Sequence, residues 1–101
     1  MHLYFDRKWN PIDATEAARL FQDDKRRIVG RAEIGDVIIS TVHLVIPHMC
    51  FKEDCELGMC SLFETLIFGG ERDQEMHRWH TLKDAIRGHA QIITSMTNER
   101  T

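Results

Sequence analysis

Two stretches of this chain carry apolar residues at helical spacing, and the ground between them is filled by short β-rich runs separated by turn residues. In "DATEAARLF", Asp13 is placed to cap a helix, Glu16 follows three residues later, and Ala17, Leu20 and Phe21 fall on one side. Near the end, Thr81 caps a second helix with Asp84 in its first turn. Leu82, Ala85, Ile86, His89, Ile92, Ile93 and Met96 form one stripe along it. The tail "TNERT" should fray.

The strands are predicted from β-branched density and from punctuation. "HLYF" opens as a short strand and "DRKWNP" after it is turn chemistry. "RIVGRAEIGDVIISTVHLVIP" reads as two strands joined by a tight turn at Gly35 and Asp36, the second arm running over residues 37–46 and ended by Pro47. "SLFETLIF" is closed by Gly69 and Gly70, and "EMHRWH" is recognised by its aromatic residue and the turn before it. Consecutive strands with short or moderate connections favour a meander, and two amphipathic helices need an apolar face to cover. The predicted architecture is therefore α+β: an antiparallel four- to five-stranded meander sheet with two helices packed on one face, in a single domain of 101 residues.

Opposed residues follow if each hairpin is symmetric about its loop. His43 then lies opposite Glu64, Glu64 opposite Trp79, Leu66 opposite His77, and Ile28 beside His43. One face collects Ile28, Ala32, Ile34, Val37, Ile39, Val45, Leu62, Leu66, Phe68 and Trp79, with His43, Glu64 and His77 among them. The other takes Arg31, Glu33, Ser40, Thr65, Arg78 and His80. His89 approaches the first face from the last helix. A glutamate buried with histidines must find partners. A hydrogen bond between His43 and Glu64 is one solution. Ligation of zinc or another divalent ion by His43, Glu64, His77 and His89, with an open coordination position, is the other.

Hydrophobic residues at 43% and charged residues at 29% describe an ordinary globular chain. Its apolar runs fall well short of the roughly 20 residues that a membrane helix needs, and "MHLYFDRKWN" lacks the apolar core of a secretion signal. A soluble protein made and kept in a cytoplasm, without membrane contact, is expected. The net charge of −3 is unevenly spread: residues 48–75 hold seven acidic side chains against Lys52 and Arg72. Glu53, Asp54, Glu56, Glu71 and Asp73 make that lobe a candidate surface for a basic partner, and nucleic acid is disfavoured. A solvated acidic loop is the plainer alternative.

Cys50, Cys55 and Cys60 recur every five residues, unlike the Cys-x-x-Cys knuckle of structural zinc sites. With His48 they still offer a second set of four ligands. An odd number of thiols in a reducing compartment otherwise reads as reduced loop cysteines. No local motif supports a cysteine nucleophile, and "FGGERD" lacks the lysine and hydroxyl of a phosphate-binding loop.

Taken in order, "YFDRKWNPI", "IGDVIISTVHLVIPH", "FETLIFGG" and "RWHTLKDAIRGHAQII" resemble a family of small uncharacterised proteins encoded by tailed bacteriophages and prophages. The most specific pieces are "STV" at 40–42, "FET" at 63–65 and "GH" at 88–89. This chain departs from that pattern in its cysteines, where relatives are rich in Gly and Pro, and at Pro47, where an acidic residue is common. The resemblance carries no activity with it. It implies a phage setting, in which small accessory proteins bind host machinery, for example as inhibitors of a CRISPR system or another defence or regulatory protein. A homodimer is compatible with the same reading, and a small metal-dependent enzyme using the His/Glu cluster is the alternative.

Overall fold

The computed structural model describes residues 3–49 and 59–99. Helices α1 (Ala14–Gln22) and α2 (Asp24–Arg27) precede strands β1 (Ile28–Ile34), β2 (Val37–Met49), β3 (Met59–Phe68) and β4 (Met76–Trp79), and α3 (Leu82–Glu99) closes the chain. The four strands form one antiparallel sheet in the order β1-β2-β3-β4. The α+β meander is thus as the residue pattern predicts. The shortest principal extent, 20 Å, is that of one sheet with one helical layer.

The N-terminal residues do not add a strand. Asp6 Oδ1 accepts from the backbone amides of Lys8 and Asn10, and Asp6 Oδ2 accepts from Asn10 Nδ2. That local network folds the chain back so that Phe5 bridges Pro11, and Phe5 N donates to Val45 O. Trp9 Nε1 donates to His80 O, which ties the turn to the far end of β4. Ahead of β1, "DDKRR" forms the single helical turn α2, with Asp23 accepting from Arg26 N as its cap.

The symmetric register holds for the β1–β2 hairpin from Ile34 opposite Val37 to Gly30 opposite Thr41, but the next two hairpins slip by one residue. Val42 is opposite Glu64 and His43 is opposite Phe63, while Phe63 faces Trp79 and Glu64 faces Arg78. Ile28 pairs with Val42, because a bulge lies between Ile28 and Gly30. The physical causes are irregularities that symmetry ignores. β2 runs through Pro47 to Met49, with register shifts between His43 and His48, and Val45 there has a φ of 70°. At the β3–β4 connection, Gln74 has a φ of 69° and its amide donates to Ile67 O, so the ladder continues to Glu75. A slip of one residue reverses a strand's faces. Glu64, Leu66 and Phe68 therefore leave the helix-covered face, and Thr65, expected on the open side, is fully buried.

On the covered face, Val37, Ile39 and Ile67 pack against Ile92 and Met96 of α3, while Phe63 packs with Phe5, Leu62 and Ala85. Ala17 and Leu20 of α1 pack on Val45 at the other end of the layer. Ile86, predicted in the buried stripe, is 54% exposed. Gly88 takes its place, since the ring of Trp79 lies where a side chain there would be.

Candidate functional site

The four residues of the predicted metal cluster have separate partners. His43 is buried, and its Nε2–H donates to Phe5 O at 2.8 Å, so the neutral ring carries its lone pair on Nδ1. Glu64 lies on the opposite face, with Arg78 Nε at 3.4 Å. His77 Nε2 donates to Glu75 at 2.7 Å. Glu75 is also gripped by Arg72, whose hydrogen bonds are the main reason that its carboxyl is lowered to about 2. Among the described residues no three His, Cys, Asp or Glu side chains converge as a metal site would require. His48 and Cys60 stand on the adjoining ends of β2 and β3. Cys50 and Cys55 lie outside the described residues, as do Glu53, Asp54 and Glu56. Of the remaining acidic candidates Glu71 is exposed, whereas Asp73 Oδ1 caps the β3–β4 turn by accepting from Gly69 N at 2.6 Å.

His89 does reach the sheet, but it ends a different network. Trp79 Nε1 can only donate, and it does so to Thr65 Oγ1 at 2.9 Å. Thr65 Oγ1 shares a hydrogen bond with Thr41 Oγ1, and Thr41 Oγ1 another with His89 Nδ1 at 2.7 Å. Each hydroxyl can both donate and accept, so the chain is satisfied with either tautomer of a neutral His89. Gly30 makes room for the far edge of that ring, since a Cβ there would lie 2.9 Å from His89 Nε2.

Burial pushes the pKa values of both His43 and His89 down. The unfolded chain, whose histidines titrate near 6.5, then binds more protons than the folded one below that pH. Stability should be fully present above pH 6.5 and decline as pH falls through that value. Glu75 works in a lower window, its contribution being lost only as pH falls from about 4.5 towards 2. Urea unfolding at pH 7.5 and 5.5 checks this, with a lower midpoint expected at pH 5.5. Equal midpoints would contradict neutral burial of the two rings.

Two surface features remain. The first is the face of the sheet turned away from α3. Cross-strand partners share a face, so Glu33, Ile38 and Phe68 form one row, Arg31, Ser40, Leu66 and Met76 a second, and Val42, Glu64 and Arg78 a third. Ile38, Val42 and Leu66 are half-buried, while Phe68 and Met76 are 45% and 43% exposed. Two ion pairs flank this apolar centre: Arg31 with Glu33 at 2.9 Å, and Glu64 with Arg78.

The second feature is a cavity of about 520 Å³ between the turn at residues 6–12, α1, α2 and β2. Ile12 and Leu20 give it an apolar wall, and His43 lines it from β2. Lys8, Arg26, Asp6 and Glu16 contribute charge to it. Arg7 also lines it, but its Nη2 is engaged by the carbonyls of Arg26 and Ile28.

Neither a family model nor any curated protein or solved structure matches this chain. The working surfaces therefore have to be read from geometry. Sequence reasoning missed both. The open face was hidden by the register slip, and the cavity draws on four separate segments whose only advance signal was the pair Arg7 and Lys8 inside a turn. Among the described residues no helix is long and apolar enough to cross a membrane.

Proposed function

We infer that this protein acts by contact, binding a partner protein through the open face of its sheet. The observation that carries the reading is the block Ile38, Val42, Leu66, Phe68 and Met76, with two side chains more than 40% exposed on the face away from α3. Exposed aromatic and methionine side chains at the centre of a polar-rimmed patch are the composition of an interface core. The flanking ion pairs would fix orientation more than they would add affinity.

The resemblance to phage-encoded proteins makes the partner a host protein. Inhibition of a defence or regulatory protein, by occupying a surface it needs, is the role that suits a small chain of this kind. Glu71, exposed at the β3–β4 turn beside Phe68, extends the surface with negative charge.

Capture from host lysate with the tagged full chain tests the reading, alongside the double variant Phe68→Asp/Met76→Asp. Both side chains are exposed, so the variant should fold as wild type does. A partner held by wild type and weakened about 30-fold or more in the variant is the expected result, since a charge placed at an interface centre removes a hot spot of 2 kcal/mol or more. Equal capture by both proteins would overturn the reading. So would a wild-type chain that only self-associates through this face, as sedimentation would show.

A further inference from the structure

We propose that the cavity between the turn at residues 6–12, α1, α2 and β2 is a binding site for a small organic oxyanion, held by Lys8 and Arg26 with its apolar body against Ile12 and Leu20. The site is distinct from the open sheet face and does not depend on how that face is used. At about 520 Å³ the cavity lies within the range of sites that hold small molecules.

The charge inventory selects the ligand. Asp6 lines the cavity, but its two oxygens already accept three hydrogen bonds from Lys8 N, Asn10 N and Asn10 Nδ2. Arg7 is likewise committed to two carbonyls. Among the described residues no carboxylate lies within ion-pair distance of the Lys8 ammonium. Arg26 has only a long contact, 3.8 Å, to Glu16, which is itself shared with Arg19 at 3.7 Å. Three cations thus stand at the cavity: Arg7, whose Nη2 is held by neutral carbonyls, Lys8, with no counter-ion among the described residues, and Arg26, with a loose counter-ion that a tighter oxyanion would displace. Charge-assisted hydrogen bonds from lysine and arginine are the usual means of holding phosphate and carboxylate groups.

The rest of the lining argues for an organic ligand over a bare ion. Ile12 and Leu20, with the ring of His43, supply the apolar part of the lining. His43 keeps its proton on Nε2 for Phe5 O, so the neutral ring adds no further positive charge. A bare inorganic anion would leave the apolar part in contact with water.

Titration of the ¹⁵N-labelled full chain, followed by amide shifts, tests this with phenyl phosphate, benzoate, inorganic phosphate and benzyl alcohol as probes. Saturable shifts at Lys8, Asn10, Ile12 and Leu20 are expected with the organic anions, and weaker ones with inorganic phosphate. Whichever of phenyl phosphate and benzoate binds more tightly assigns the head group as phosphate ester or carboxylate. Lys8→Ala and Arg26→Ala, both at exposed side chains, should each weaken binding about tenfold. Glu16→Gln should strengthen it about threefold by removing the competing carboxylate. Benzyl alcohol binding as tightly as the anions would overturn the proposal. So would wild-type affinity in the Lys8→Ala and Arg26→Ala variants, or the absence of saturable shifts at these four residues with any of the anions.

Discussion

Gly88→Ala should destabilise the protein by about 2–4 kcal/mol, although alanine is the better helix former by about 1 kcal/mol. The added Cβ would stand 2.2 Å from Cη2 and 2.3 Å from Cζ2 of Trp79, so the indole must move. It is not free to do so at low cost. Its Nε1 holds Thr65, its face stacks on His77 at 5.9 Å between centroids, and it packs in both halves of the core beneath α3. Overpacking of this kind costs about 1–3 kcal/mol, and the displaced Trp79–Thr65 hydrogen bond adds a similar amount. Urea unfolding reads the effect directly. A variant as stable as wild type would contradict the close approach of α3 to β4.

Thr41→Val should cost about 2–4 kcal/mol at nearly constant shape. The hydroxyl of Thr41 is the middle link of the chain from Trp79 through Thr65 to His89, and both threonines are fully buried. Its removal leaves both the Thr65 hydroxyl and His89 Nδ1 without the partner that Thr41 supplies. Each unsatisfied buried group costs about 1–3 kcal/mol. Thr41→Ser keeps the hydroxyl and gives up only a methyl group, so its loss should stay near 1 kcal/mol. Equal losses in the two variants would mean that packing, not the hydrogen-bond chain, is what Thr41 contributes.

These two sites show where sequence reasoning reaches and where it stops. The elements were legible because their signals are local: Asp13 and Thr81 cap helices as their spacing implies, and the β-branched run after Asp36 is a strand. His89 was legible as a residue that reaches the sheet. Its partner was not, because Thr41 and Thr65 carry no charge to mark them and meet only through register.

Register beyond the first hairpin was the quantity that sequence could not supply. The bulge near Val29, the left-handed Val45 and the irregular path between His43 and His48 carry no local sequence signal, and Val45 meets segments distant in sequence, Phe5 and α1. Their consequence was large. Glu64, a polar residue in a strand otherwise rich in apolar ones, looked like a buried partner of His43. It belongs to the rim of the open face, paired with Arg78. The same slip moved Leu66 and Phe68 out of the core and onto that face, turning two core residues into interface candidates.

The most direct test of contact through the open face is a footprint. With a captured partner bound, cross-saturation transfer to the labelled protein should concentrate on Ile38, Val42, Leu66, Phe68 and Met76 and fall away along α3. A footprint centred instead on α3, or on the cavity beside Lys8 and Arg26, would contradict the assignment of the sheet face as the working surface.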